Sequence, residues 1–118
     1  MKISAVIPTC EAAWNAEITF RSLPELTRKP DEIMVVMDGD KEEVEEASLA
    51  GMPVKIFKTR QRGAAAKRNL GLEKSSGGAI LLVDDDVEFH RGCLEAMERV
   101  LMSDAAIGGV GCFIENQR

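Results

Sequence analysis

Three consecutive aspartates, Asp84, Asp85 and Asp86, follow directly on the apolar run 79–83. Neighbouring carboxylates disfavour one another's ionised form, so folding alone gives little reason to gather them. A hard divalent cation relieves that repulsion, and Mg²⁺ is held through one or two carboxylates together with substrate phosphates. The residue types therefore point to a metal–phosphate site at a strand end. The plainer alternative is a turn, because aspartates after a strand also accept backbone hydrogen bonds and cap helices. A second stretch supplies the complementary charge. Lys58, Arg60, Arg62, Lys67, Arg68 and Lys74 crowd together with Glu73 as their only acid. Gly63 precedes a helix whose first turn, Ala64-Ala65-Ala66, lets a ligand approach backbone N–H groups, and a helix amino terminus suits phosphate. A solvated basic helix face is the alternative there.

Positioning these groups requires a layered α/β chain. Residues 2–7 read as a first strand stopped by Pro8, which cannot donate to a ladder. Helical spacing of Trp14, Ile18, Phe20 and Leu23 predicts a helix over 12–23 that Pro24 ends. Residues 32–37 form a second buried strand, closed by Asp38-Gly39-Asp40 turn chemistry. The acidic stretch 41–50 reads as a helix with Val44 and Ala47 facing inward and its glutamates in solvent. A third strand over 53–58 is expected near an edge because it begins with Pro53. A helix over 64–74, a fully buried fourth strand over 79–83, a helix over 92–103 and a glycine-interrupted fifth strand over 106–114 complete the chain. This alternation implies a Rossmann-like α/β/α sandwich with a mostly parallel sheet, strands ordered about 3-2-1-4-5. Ligands of such sheets bind outside the carboxyl ends of the strands, at the switch in strand order. There the order gathers the loop Pro8-Thr9-Cys10-Glu11, the aspartates and, one strand over, Asp38.

Composition narrows the classes. The 118 residues are 45% apolar and 30% charged, enough for one globular domain. A net charge of −5 and only four Phe, one Trp and no Tyr argue against nucleic acid as a partner. No apolar run approaches the roughly 20 residues of a membrane span. The amino terminus carries no signal-peptide pattern, which makes the cytoplasm the default compartment. Cys10, Cys93 and Cys112 lack metal or disulfide spacing, so Cys93 and Cys112 read as small buried apolar residues. His90, the sole histidine, is assigned no role.

Taken in order, these motifs resemble the donor-binding half of family 2 glycosyltransferases, which have the GT-A fold. Ile3–Thr9 is similar to that family's first strand and Pro-Thr loop, and 30–39 to its second strand with an acidic end. Residues 62–72 are similar to its glycine-rich segment ending in Arg-Asn-x-Gly, and 78–86 to its fourth strand and Asp-x-Asp. The resemblance covers nearly all of residues 3–101. It implies a UDP- or GDP-sugar donor, Mg²⁺ or Mn²⁺, and inverting transfer to an acceptor that the sequence does not name. By position, Asp38 would face the base, while Pro8, Thr9, Cys10 and Glu11 would line the nucleotide pocket. Arg62, Gly63 and Arg68 would lie by the nucleotide, Asp85 by ribose or sugar, and Asp86 would ligate the metal with Asp84 close by. Cys10-Glu11 stands where an aromatic residue and Asn are usual, and Met37 where an Asp is frequent. The chain stops at Arg118, before the family's acceptor half, so the catalytic base is expected outside it. The expectation is one truncated donor-binding domain, whose uncovered apolar surface favours self-association.

Other classes compete. A haloacid-dehalogenase-type phosphatase also ends a strand in Asp-x-Asp, with Asp84 as nucleophile and Asp86 as acid/base. It needs a later Lys, and none follows Asp86. A receiver domain would need an acidic pair where Pro8-Thr9-Cys10 stands. A nucleotide-sugar-binding fragment without catalysis is the non-enzyme alternative.

Overall fold

The computed structural model describes residues 1–10 and 13–112. Its centre is a five-stranded sheet in the order β3-β4-β2-β1-β5. The strands are β1 (Ile3–Thr9), β2 (Glu32–Asp38), β3 (Glu43–Leu49), β4 (Met52–Thr59) and β5 (Ala79–Leu82). The helices are α1 (Ile18–Ser22), α2 (Ala64–Lys74) and α3 (Cys93–Met102). β1 pairs in parallel with both β2 and β5, and β2 pairs in parallel with β4. Both faces of β1 and β2 are covered, which is why these strands are continuous apolar runs. Ile3, Ala5, Ile7, Ile33, Val35 and Met37 face a cluster completed by Phe20, Leu23 and Leu94. Val6, Met34, Val36 and Phe57 face Leu70 of α2 on the other side. This is the expected α/β/α arrangement with a mostly parallel sheet. No helix among the described residues is long and apolar enough to cross a membrane.

The expected acidic helix over 41–50 is instead β3, antiparallel to β4. Leu49 pairs with Met52, and the two residues between them, Ala50 and Gly51, have φ of 50° and 85°. Those angles are the ones a two-residue hairpin needs to match strand twist. Opposite charges across the pair add to the preference, since Glu43 faces Lys58 and Glu46 faces Lys55. Val44, expected inside, is 60% exposed. The hairpin moves β4 to the sheet interior, so Pro53, second in β4, lies in an inner strand rather than an edge one. The helix expected over 12–23 is also broken. A 3₁₀ turn at Trp14–Ala16 and another at Leu23–Glu25 flank the short α1, with Pro24 inside the second turn.

β5 is shorter and less buried than expected, with Leu82 51% exposed. Residues 106–112, expected as a fifth strand, form none; 113–114 lie outside the described residues. Among the described residues β5 therefore has no neighbour beyond it, and Leu82, Val87, Val100 and Met102 stay exposed nearby. α3 is fixed to the rest by a two-pronged contact, Arg28 Nε and Nη2 donating to Glu98 Oε1 and Oε2 at 3.1 and 3.2 Å.

Gly71 sets how closely α2 lies on the sheet. A Cβ there would stand 2.4 Å from Val6 Cγ1 and 3.4 Å from Val36 Cγ2. Gly71→Ala is expected to destabilise the chain by about 1–3 kcal/mol through this overpacking. Urea unfolding should show a lower midpoint, partly restored in Val6→Ala/Gly71→Ala. An unchanged midpoint in the single variant would contradict the packing argument.

Candidate functional site

The carboxyl ends of β1, β2 and β5 bring their loops to one edge of the sheet, and α2 runs beside them. Pro8 and Thr9 are the buried last residues of β1, opposite Val36 and Met37 of β2. Thr9 Oγ1 donates to Asp85 Oδ2 at 2.7 Å, which links the end of β1 to the aspartate turn. The turn itself is clamped by Thr19 of α1. Its buried hydroxyl lies 2.8 Å from the Asp84 carbonyl and 2.7 Å from the Val87 carbonyl, and it accepts the Val87 N–H at 2.7 Å. One side chain thus satisfies a turn that no strand ladder reaches.

Asp84 and Asp86 are exposed, while Asp85 is half-buried. Asp84 Oδ1 accepts from Arg68 Nη2 at 2.6 Å. The Asp86 carboxylate has neither hydrogen bond nor ion pair to the described residues. No three His, Cys, Asp or Glu side chains among the described residues converge to hold a metal. Asp84 and Asp86 offer hard oxygen donors, which fit Mg²⁺ or Mn²⁺ where phosphate oxygens and water complete the shell. They do not fit a closed, all-protein cage.

Asp38 ends β2 and makes the second charged contact. Its Oδ1 lies 2.9 Å from Lys67 Nζ and 3.8 Å from Arg62 Nη1. Lys67 is 4% exposed, and its ammonium also reaches the Thr9 carbonyl at 3.4 Å and Cys10 Sγ at 3.5 Å. Arg62 is held by the Thr59 and Gly39 carbonyls at 2.8 and 3.3 Å. Cys10 and Asp38 line a cleft of about 430 Å³ with Trp14, Gly39, Lys41 and Lys58. Gly63 is the residue before α2, at φ 97°, a backbone conformation that favours glycine. No side chain caps α2 there. Glu11, expected in the pocket, lies outside the described residues.

The structure therefore brings together Thr9 with Asp85, Arg68 with Asp84, and Arg62 with Asp38. Sequence reasoning counted Lys67 only within the basic run and did not name Thr19. Lys67 had a legible signal: it shares a helix face with Leu70 and Gly71, at spacings of three and four, so its cation had to point inward.

The Lys67 hydrogen bond, more than a smaller opposing desolvation, holds the Asp38 carboxyl below its ordinary value. Burial pulls Lys67 down, yet its hydrogen bond and attraction to Asp38 outweigh that and leave it raised. Asp38, depressed in the folded state, stabilises fully above its unfolded pKa and loses this as pH falls through the lowered value. Lys67, raised, stabilises at neutral pH and loses this only as pH rises through the raised value. Thermal unfolding midpoints should fall below about pH 4, and Asp38→Asn should flatten that acid limb. Equal acid slopes for both proteins would dismiss the pair as a source of stability.

Comparison with known proteins gives a consistent result. The sequence model described as glycosyl transferase family 2 matches residues 4–117. An uncharacterized glycosyltransferase of Rickettsia bellii is 32% identical over 94 residues, covering 75% of this chain and 14% of that protein. The uncharacterized glycosyltransferase YwdF of Bacillus subtilis is 33% identical over 101 residues, covering 84% and 38%. Glycosyltransferase AglE of Haloferax volcanii is 31% identical over 100 residues, covering 79% and 33%. The chain thus spans between 14% and 38% of the length of these relatives. Among solved structures, residues 1–349 of Staphylococcus aureus TarS in complex with UDP share the fold, with a TM-score of 0.64 at 22% identity. That match covers 84% of this chain and 31% of the other.

Proposed function

The chain belongs to glycosyl transferase family 2, and from that premise we propose that it binds a nucleoside-diphosphate sugar as the donor part of a glycosyltransferase. The observation that carries this reading is the clustering of Asp38–Lys67, Asp84–Arg68 and Thr9–Asp85 at the carboxyl ends of three strands. Ligand binding at that edge is general to open parallel sheets. UDP in the TarS structure of the same fold supports the nucleotide reading.

In this reading the Asp38 carboxylate accepts from the base, beside the cleft lined by Cys10 and Trp14. Pro8, Thr9, Cys10 and Glu11 border the nucleotide, and Asp85 meets ribose or sugar. Arg62 and Arg68 offer guanidinium donors to the diphosphate, aided by the uncapped amino terminus of α2 after Gly63. Asp84 and Asp86 hold Mg²⁺ or Mn²⁺, which when bound neutralises charge on the departing diphosphate. Arg68 stabilises the same developing charge from the protein side. No residue of this chain is assigned as the base that deprotonates the acceptor hydroxyl for inversion, or to acceptor binding. The proposed setting is the cytoplasm.

Calorimetric titration with UDP and then GDP, each with Mn²⁺ and again with EDTA, tests the site. Metal-dependent binding of one nucleotide is expected, lost in Asp86→Ala and weakened at least about tenfold, or 1.4 kcal/mol, in Arg68→Ala. Binding that ignores EDTA and Asp86→Ala would remove the metal from the reading. No binding of either nucleotide would overturn the donor site.

A further inference from the structure

Cys93 opens α3, and Cys112 lies on the stretch that returns along it. Their Sγ atoms lie 2.8 Å apart, and Cys112 Sγ also contacts Met97 Sδ at 3.1 Å, one helical turn beyond Cys93. Both cysteines are free thiols, Cys93 half-buried and Cys112 exposed. Neither is the fully buried apolar filler that composition suggests. A disulfide measures about 2.05 Å, so closure needs an approach of about 0.8 Å. Residues 104–112 have no regular structure, and their hydrogen bonds among the described residues stay within the segment apart from these sulfur contacts. The sulfur contacts tie Cys112 to the helix.

We propose that Cys93 and Cys112 are the site of a reversible intramolecular disulfide that pins segment 104–112 against α3. Segment and helix form one wall of a groove of about 1020 Å³ that reaches Arg68 and Asp84, so the bond fixes a wall beside the charged edge. The oxidant is a low-molecular-weight disulfide such as oxidised glutathione. The Cys112 thiolate attacks it, breaking its S–S bond, releasing one thiolate and leaving Cys112 in a mixed disulfide. Cys93 gives its proton to water, attacks Cys112 Sγ and expels the second thiolate. Two protein thiols are oxidised, and one small disulfide is reduced to two thiols. Burial, then the Cys112 contact, pushes the Cys93 thiol up to about 12. In a reducing compartment the pair stays open.

The test equilibrates the 118-residue chain in buffers of graded oxidised-to-reduced glutathione, blocks free thiols with an alkylating reagent, and maps peptides by mass spectrometry. The expected result is a monomer with a Cys93–Cys112 linked peptide and Cys10 alkylated. Its thermal midpoint should lie several degrees above that of the reduced chain, and Cys112→Ser should abolish both link and shift. Three results would each overturn the proposal. These are alkylation of both thiols at every ratio, arrest of Cys112 as a glutathione mixed disulfide, or a link between two chains.

Discussion

An ammonium drawn almost wholly out of water must find an anion and acceptors, or the fold carries its desolvation uncompensated. Lys67 is that ammonium, and Asp38, the Thr9 carbonyl and Cys10 Sγ meet it. It comes from α2, while Asp38 belongs to β2 and the Thr9 carbonyl to β1, so one charge ties three elements together. The contact is possible only because Gly71, four residues on, lets α2 settle onto Val6 and Val36. Lys67 is buried while Asp38 is 37% exposed, and besides its pH-dependent contribution the pair fixes the spacing between the ends of β1 and β2.

The edge carries a second pair of different character. Arg68 and Asp84 are 38% and 56% exposed, and such pairs are worth little in water. Arg68 can exchange Asp84 for another anion at small cost, whereas Lys67 is committed to Asp38. One pair builds the charged edge and the other is free to change partner. Thr19 adds a neutral clamp that keeps the aspartate turn in place whichever partner Arg68 has.

Much of this was legible in the sequence, and the reasons differ by element. β1 and β2 announce themselves because strands covered on both faces are apolar on both, with Ser4 and Glu32 buried only as hydrogen-bonded partners. The bounds of α2 follow from Gly63 on one side and Ser75-Ser76-Gly77-Gly78 on the other. β3 was not legible because Glu and Ala favour helices, and the hairpin turn is an Ala-Gly pair rather than the usual Asn-Gly. What favours it is the hairpin turn together with pairing against β4, a non-local effect. The aspartates and the basic run were visible as charges, but which acid meets which base depends on the strand order. Lys67 hid within the basic run because composition does not distinguish a cation in solvent from one turned inward.

The two margins of the sheet have opposite chemistry. β3 presents Glu45, Glu46, Ser48 and an exposed Val44 to water, and a strand rich in like charges repels another copy of itself. β5 presents Leu82 and, among the described residues, an unpaired ladder. A sheet with one guarded and one open margin can be extended in a single direction. A strand added beside β5 would leave β3 as the terminus. Were the added strand another β5, the two open margins would consume each other, and growth would end at two sheets rather than run on as a fibre.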